Sequence, residues 1–400
     1  MIPKNKEIVI IGCGIVGLAL GRKFIIEGYK NIKLIEKETS VACHQSSRNS
    51  GVMHAGLYYE PNSLKAELSR EGIVLMKDYC TKNFIEWEEC GKIVAAKDKN
   101  EINQLENLFT RGKMNNLKGL RLLNGKEINF YEPYLEAKAG ILVPEESIVS
   151  YLDVAKKFEE EIISEGCLIK FSSKVVKIKH KLNSYLIILE NGEEIDADII
   201  ISTTGLYSDK ISEMMGFNID KKKIIPFRGE YYLLNKDYKY LVKNLIYPVP
   251  NPSLPFLGVH LTRMINGDIE AGPNAILALA REGYNWSIIN YEEFIESISY
   301  KGIWNFIKKY PKTTYRELLR SIFKSIFLKD LQKFIPDIKE EMITSSPAGV
   351  RAQLMNPNGS LEQDFDIRIK GNLISVLNAP SPAATSSLSI ASYIFNLLTE

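Results

Sequence analysis

Histidine and cysteine are scarce in this chain of 400 residues, which has four of the first and five of the second. The cysteines (Cys13, Cys43, Cys80, Cys90 and Cys167) form no CxxC pair, and no His or Cys spacing matches a metal site, so neither a zinc module nor a disulfide framework is expected. Their odd count and scattered placement point to a reducing cytoplasm. Charge of one sign is also lacking: 51 Lys and Arg against 49 Asp and Glu leave a net charge of +2. That balance offers no general attraction for nucleic acid or an acidic partner. No apolar run reaches the length of about 18 residues that reads as a membrane span, and the first residues lead straight into a strand pattern, which predicts no signal peptide. A GxSxG elbow and a P-loop lysine are missing too, and no internal repeat or low-complexity tract occurs. With 45% apolar and 25% charged residues, the composition is that of a globular chain long enough for about two domains.

The strongest positive signal lies at the start. Ile8-Val9-Ile10-Ile11 reads as a buried strand, Gly12-Cys13-Gly14-Ile15-Val16-Gly17 as a tight turn, and residues 15–27 as a helix whose first N–H groups face that turn. Gly12 permits the turn, Gly14 lets backbone approach a phosphate, and Gly17 lets helix pack on strand. Glu36, closing a second strand beside Lys37, can accept ribose hydroxyls. Together these residues define a dinucleotide site. The turn alone does not separate NAD from FAD.

Further along, residues 64–80 read as a helix, 92–96 as a strand, 100–126 as polar and helical, 140–143 as a strand and 153–166 as an amphipathic helix. Strand patterns at 227–234, 257–262 and 268–271, separated by proline- and glycine-rich turns, suit an antiparallel sheet. Short helices follow at 291–334, then strands at 346–354, 367–369 and 373–376, and a last helix at about 383–398. The expected fold is α/β, or α+β overall. A Rossmann-like dinucleotide domain (1–85, 145–220 and 340–400) carries an inserted antiparallel-sheet substrate domain (86–144 and 221–339, with the helical segment 291–334). Flavin sites are often built lengthwise between two such domains.

Several segments carry a family resemblance. Ser47-Arg48-Asn49-Ser50-Gly51-Val52-Met53-His54-Ala55-Gly56-Leu57-Tyr58-Tyr59, Arg228-Gly229-Glu230-Tyr231-Tyr232, Tyr247-Pro248-Val249-Pro250 and His260-Leu261-Thr262-Arg263 resemble the L-2-hydroxyglutarate oxidase/dehydrogenase family. So do Ala348-Gly349-Val350-Arg351-Ala352-Gln353, the small-residue tail from Asn378 to Leu388, and the proline-rich stretch 250–255. The wider group is that of D-amino-acid oxidase and glycerol-3-phosphate dehydrogenase. Arg48 departs from the pattern, because many relatives carry histidine there. The resemblance implies FAD-dependent oxidation of L-2-hydroxyglutarate to 2-oxoglutarate, with electrons passed on to a quinone, another carrier or oxygen. Alternatives of the same class are oxidation of another 2-hydroxy acid, a glycerol phosphate or an amino acid. An alternative of a different class is a dinucleotide-binding protein without catalysis.

Residue chemistry adds candidate roles. A helix opening at Ala383, Ala384 and Thr385 can stabilise the negative charge of a reduced flavin, or simply be a capped helix end. Ser47, Arg48, Asn49, Ser50 and Gly51 offer polar atoms and close backbone to the ring. Gly205 and Asp209 resemble the second turn on the pyrophosphate side, and Val175 or Val176 resembles the position that holds adenine, with plain core strand the competing reading. Arg351 stands where relatives clamp the substrate α-carboxylate, a task that suits a planar guanidinium. Arg263 and Arg228 are candidates for the distal carboxylate, or for interdomain ion pairs. His260 is expected to take the hydroxyl proton while the C2 hydride moves to flavin N5, and His54 to shape the flavin environment, with the reverse assignment open. His44 and His180 receive no role. Basic residues mix with apolar ones at helical spacing over 300–333, as in Lys301, Trp304, Lys308, Lys309, Lys312, Ile322 and Phe323. This predicts either peripheral contact with an anionic membrane, at the inner face of the plasma membrane, or a solvated basic surface.

Overall fold

Four β-branched residues in succession, Ile8–Ile11 (β1), are all buried, because the strand is covered on both faces. Ile8 and Ile10 point to a helical layer with Leu18, Leu20, Phe24 and Ile394. Val9 and Ile11 point the other way, to Val175, Ile178, Ile187 and Leu189. The computed structural model describes residues 2–251, 254 and 256–399, so residues 252, 253 and 255 of the proline-rich stretch lie outside the described residues.

β1 lies parallel between Ile32–Ile35 (β2) and Ile199–Ser202 in a six-stranded sheet. Leu168–Lys170 forms one edge, and Leu373–Asn378 followed by antiparallel Asp366–Lys370 forms the other. The helix Ile15–Ile26 (α1) packs against Tyr151–Ser164 and the last helix, Ser387–Thr399. A three-stranded antiparallel sheet, Val175–His180, Tyr185–Leu189 and Glu194–Ala197, covers the opposite face. This is the expected Rossmann-like arrangement.

Among the described residues the second sheet has nine strands. Its order runs Ile276–Leu277, Lys223–Leu234, Ile269–Gly272, His260–Arg263, Leu245–Pro248, Lys92–Ala96, Ala139–Val143 and Arg121–Asn124. Ile343–Met355 joins it along Lys223–Leu234, in register from Lys223 opposite Met355 to Leu234 opposite Ile343. The described helices Lys301–Lys309 and Lys324–Leu331 bury Ile303, Phe306, Phe327 and Leu331 against this sheet.

Three boundaries differ from the sequence reading. Residues 100–126 are not one helix: Lys99–Met114 is helical, and Arg121–Asn124 leaves to pair with Ala139–Val143. Edge pairing there outweighs a polar, helix-compatible composition. Ile343–Met355 belongs to the larger sheet and not to the nucleotide sheet, since its partner strand lies there. The last helix begins at Ser387, because residues 383–386 form a turn closed by Ala383 N–H to Pro380 O at 3.0 Å and Ser386 N–H to Pro382 O at 3.0 Å.

Candidate active site

A cavity of about 830 Å³ runs between the two sheets, from the β1 turn at one end to Arg351 at the other. At the turn, Gly12 adopts φ +102°, and a Cβ there would lie 2.8 Å from Thr203 O. A Cβ on Gly17 would lie 2.0 Å from Gly12 O, so the helix can reach the strand only without a side chain. Gly14 is different: its Cβ would meet only Ser46 Oγ, at 3.2 Å. What glycine preserves at this position is space in the cavity. α1 begins here without a side-chain cap from Gly14, and the Ile15 N–H donates instead to Ser46 Oγ at 2.9 Å. Glu36 accepts from Cys13 N–H at 2.8 Å and from Glu38 N–H at 2.9 Å, which leaves lone pairs on both oxygens for ribose hydroxyls. A phosphate-sized gap at a helix N-terminus, with a fixed carboxylate at the following strand end, fits the pyrophosphate and adenosine of a dinucleotide.

Ile15, Val16, Lys37, Arg48, Asn49, Ser50, Gly51, Val175, Gly205, Ala383, Ala384 and Thr385 all line the same cavity. Val176 does not, being 40% exposed on the other side of its strand, so the period of two chooses between the valines. Asp209 is also off the wall: its carboxylate takes two bonds from Arg281, at 2.6 and 2.9 Å, and one from Ile224 N–H. It anchors the turn from beneath. Ser47 is likewise absent from the lining, its hydroxyl directed to His44 O at 3.4 Å. The Thr385 hydroxyl turns inward to Tyr151 Oη at 2.7 Å and accepts from His54 N–H at 3.2 Å.

Glu38, His44 and Glu282 converge near the adenosine end, together with Lys37. Lys37 Nζ lies 2.5 Å from Glu282 and 3.1 Å from His44 Nε2, so a cation already occupies the centre of the group. The cluster ties the loop after β2 to the segment carrying Glu282 and Tyr284, whose hydroxyl lies 2.5 Å from His44 Nδ1. Burial lowers the basicity of His44, but Glu282 and Glu38 outweigh it and raise its pKa above the ordinary value.

At the far end, Arg351 lines the cavity and donates through Nη1 to Asn274 O at 3.0 Å. Tyr58, Tyr59, Tyr231, Tyr247 and His260 share that wall. Burial pushes Tyr231 up to about 12 despite Arg351 beside it, so its hydroxyl stays a donor. His260 stacks on Tyr247 with centroids 4.1 Å apart, and its Nδ1 lies 3.0 Å from Gly258 O. That partner accepts only, which places the proton on Nδ1 and leaves a lone pair on Nε2. Burial, helped by the positive charges of Arg351 and Lys92, holds His260 down to about 3, so the ring is neutral at any working pH.

The two arginines expected either at the distal carboxylate or in ion pairs are both ion-paired off the cavity wall. Arg228 is fully buried off the cavity wall, with Nη2 on Glu230 at 2.9 Å and its guanidinium 4.6 Å from the Trp286 ring centre. Arg263 pairs with Glu88 and does not line the cavity. Strand alternation explains the second case: His260 and Arg263, three apart, face opposite sides of one strand.

Lys92 and Glu146 went unnoticed in the sequence, and nothing local marks either. Both are 0% exposed, and they are ion-paired with each other. The other Glu146 oxygen lies 3.2 Å from His54 Nδ1. Burial pushes Glu146 up, but Lys92 and His54 overcome this and hold it at about 2. Glu270 is a second hidden carboxyl, raised by burial to about 7 with Ser50 Oγ at 2.8 Å.

The chain matches the DAO family, FAD dependent oxidoreductase, over residues 7–397, and belongs to that family. Its relatives there include an L-2-hydroxyglutarate dehydrogenase of Indibacter alkaliphilus, 47% identical over 96% of this chain and 96% of that protein. The mitochondrial L-2-hydroxyglutarate dehydrogenase of Homo sapiens is 40% identical over 97% of this chain and 87% of the human protein. The Escherichia coli L-2-hydroxyglutarate dehydrogenase is 38% identical, over 97% and 92%. Among solved structures, the FAD-bound L-alpha-glycerophosphate oxidase of Mycoplasma pneumoniae shares the fold with a TM-score of 0.79 at 21% identity, over 99% of this chain and 95% of that one. A glycine oxidase from Geobacillus kaustophilus does so with a TM-score of 0.75 at 14% identity, over 98% and 94%.

The contrast between the two turn glycines predicts that Gly14→Val gives folded protein that purifies without FAD, whereas Gly17→Val fails to fold; circular dichroism and the flavin absorbance of the purified proteins read the two separately. For the far end, Arg351→Met is expected to lower kcat/KM with the preferred substrate by a loss of about 2–3 kcal/mol, the scale of a charge-assisted hydrogen bond, with FAD content unchanged. Unaltered kinetics would make Arg351 a structural residue.

Proposed function

We propose that this protein oxidises L-2-hydroxyglutarate to 2-oxoglutarate with FAD held lengthwise in the cavity. The observation that carries this reading is one continuous cavity with a dinucleotide turn at one end and the Arg351 guanidinium among tyrosines at the other. The sequence relatives named above supply the choice of substrate. FAD, held by the Gly12–Gly17 turn and Glu36, would supply the two-electron oxidant for the C2 hydride. Arg351 grips the α-carboxylate through its free guanidinium edge, and the Tyr59 and Tyr231 hydroxyls, kept protonated by burial, serve the distal one. His260, neutral and stacked on Tyr247, packs against the substrate.

The hydroxyl proton goes to His54. This reverses the expected assignment of the two histidines, for an electrostatic reason. A base must hold the proton it receives, and His260 lies among cations that oppose this, whereas His54 has the Glu146 carboxylate behind it. The O–H bond breaks as Nε2–H forms on His54, and the proton then leaves to solvent.

The final electron acceptor would be a quinone, another carrier or oxygen. A cytoplasmic location against an anionic membrane is proposed from the helical segment. Its Trp304, Tyr315, Ile322 and Phe323 are half or more exposed, beside Lys308, Lys309 and Lys312. Part of its basic charge is spent internally, since Arg316, Arg320 and Lys333 surround Asp330. Among the described residues no helix is long and apolar enough to cross a membrane.

Anaerobic mixing with L-2-hydroxyglutarate is expected to bleach the flavin absorbance and yield 2-oxoglutarate in equal amount, with D-2-hydroxyglutarate, glycerol 3-phosphate and glutamate inert. Bleaching by one of the others alone would replace the substrate, and bleaching by none would favour a binding role. Cosedimentation with vesicles containing phosphatidylglycerol, but not with phosphatidylcholine alone, is expected, with loss on Lys308→Glu/Lys309→Glu; equal behaviour of the two vesicle types would remove the membrane contact.

A further inference from the structure

The pair Lys92–Glu146 raises a question of chemistry. Burying a lysine and a glutamate carries a desolvation cost that their attraction must return, and well-packed apolar residues often do as well. Here the pair is wholly buried, and Glu146 reaches the cavity wall through its contact with His54 Nδ1. Lys92 stands on the strand Lys92–Ala96, Glu146 just before the strand Ser147–Val149, and His54 just after Val52–Met53, which pairs with Ser147–Val149. Three segments distant in sequence thus deliver three ionisable groups in a row. Lys92 Nζ is also enclosed by aromatic faces, 4.7 Å from the Tyr58 ring centre and 5.1 Å from that of Tyr247.

Consider the row without its lysine. A buried carboxylate beside an imidazole favours the imidazolium, because the charge of Glu146 would have no other partner. A doubly protonated His54 could accept no proton from the substrate. With Lys92 in place, the charge of Glu146 is already compensated. The carboxylate still accepts from Nδ1–H and so selects the tautomer with a bare Nε2. We propose that Lys92 is a positioning residue for the oxidation: by compensating Glu146 it keeps His54 the neutral, Nδ1-protonated imidazole whose Nε2 receives the substrate hydroxyl proton. This inference rests on His54 being the base in the reading above. The other titratable groups facing this row are Tyr58 and Tyr59 from the loop after His54, Tyr247 and His260 from the large sheet, Tyr151 through Thr385, and Cys90 beside Lys92.

The sign of the pH response tests it. In FAD-loaded enzyme, Glu146→Gln removes the anion, and the acidic limb of the pH profile for anaerobic flavin reduction moves down by about one unit, the scale of one close charge. Lys92→Met leaves the anion without its cation, and the limb moves up by about one unit. Its rate is up to about tenfold low on the acidic side of the limb and recovers as pH is raised. The double variant Lys92→Met/Glu146→Gln lies between the two and buries no charge, so it keeps the test open if Lys92→Met does not fold. A second readout does not use turnover: the ¹⁵N resonances of His54 in histidine-labelled holoenzyme, assigned with His54→Gln, show Nδ1 protonated and Nε2 bare in the wild type, and their titration midpoint moves in the same two directions. A downward or absent shift in Lys92→Met, or wild-type His54 with its proton on Nε2, overturns the proposal. If L-2-hydroxyglutarate fails to reduce the flavin while the resonances shift as described, the substrate reading fails and the electrostatic row stands.

Discussion

One long antiparallel pairing, Lys223–Leu234 with Ile343–Met355, is the constraint on which the rest of the molecule depends. The first strand leaves the nucleotide domain, and the second returns toward it, so their register sets how the two sheets face each other. It also delivers the substrate end. Gly349 on the returning strand comes so close to the loop after β2 that a Cβ would lie 2.5 Å from Arg48 O. Two residues on, Arg351 lies opposite Phe227 and projects into the cavity. A single slip in this register would carry Arg351 to the other face of the sheet.

Buried charge follows the same seam. Arg281 with Asp209 locks the turn after Ile199–Ser202 to the segment beyond the second sheet, and Lys92 with Glu146 stands behind His54. Such pairs are poor sources of stability, because desolvation offsets most of the attraction. Their value here is geometric and electrostatic. Each holds a backbone turn or an imidazole where the cavity needs it, and a half-formed pair would be more costly than none. The unlike surroundings of His54 and His260 illustrate the point: one ring faces a carboxylate, the other a carbonyl and cations.

Much of the fold was legible because it is local. The run Ile8–Ile11, the three turn glycines and Glu36 follow one another within one strand-turn-helix-strand unit, and short-range sterics decide their shape. Errors arose where a partner decides. Arg121–Asn124 is polar enough for a helix and becomes a strand only because Ala139–Val143 offers an edge. Arg228 and Arg263 carry the right charge for a diacid, yet strand alternation and their own acidic partners turn them from the cavity.

What the sequence by itself determined was therefore the nucleotide turn, the alternation of β and α that builds a Rossmann-like sheet, and the family to which the loop segments point. All of these are written in contiguous residues. Tertiary structure alone decided that Val175 and not Val176 faces the cavity, that Asp209 serves Arg281, and that Lys92, Glu146 and His54 form one row. The reason is physical. A charge acquires its chemistry from the burial and the neighbours that it meets, and for Lys92 and Glu146 those neighbours come from three separate strands and loops that only the closed fold brings together.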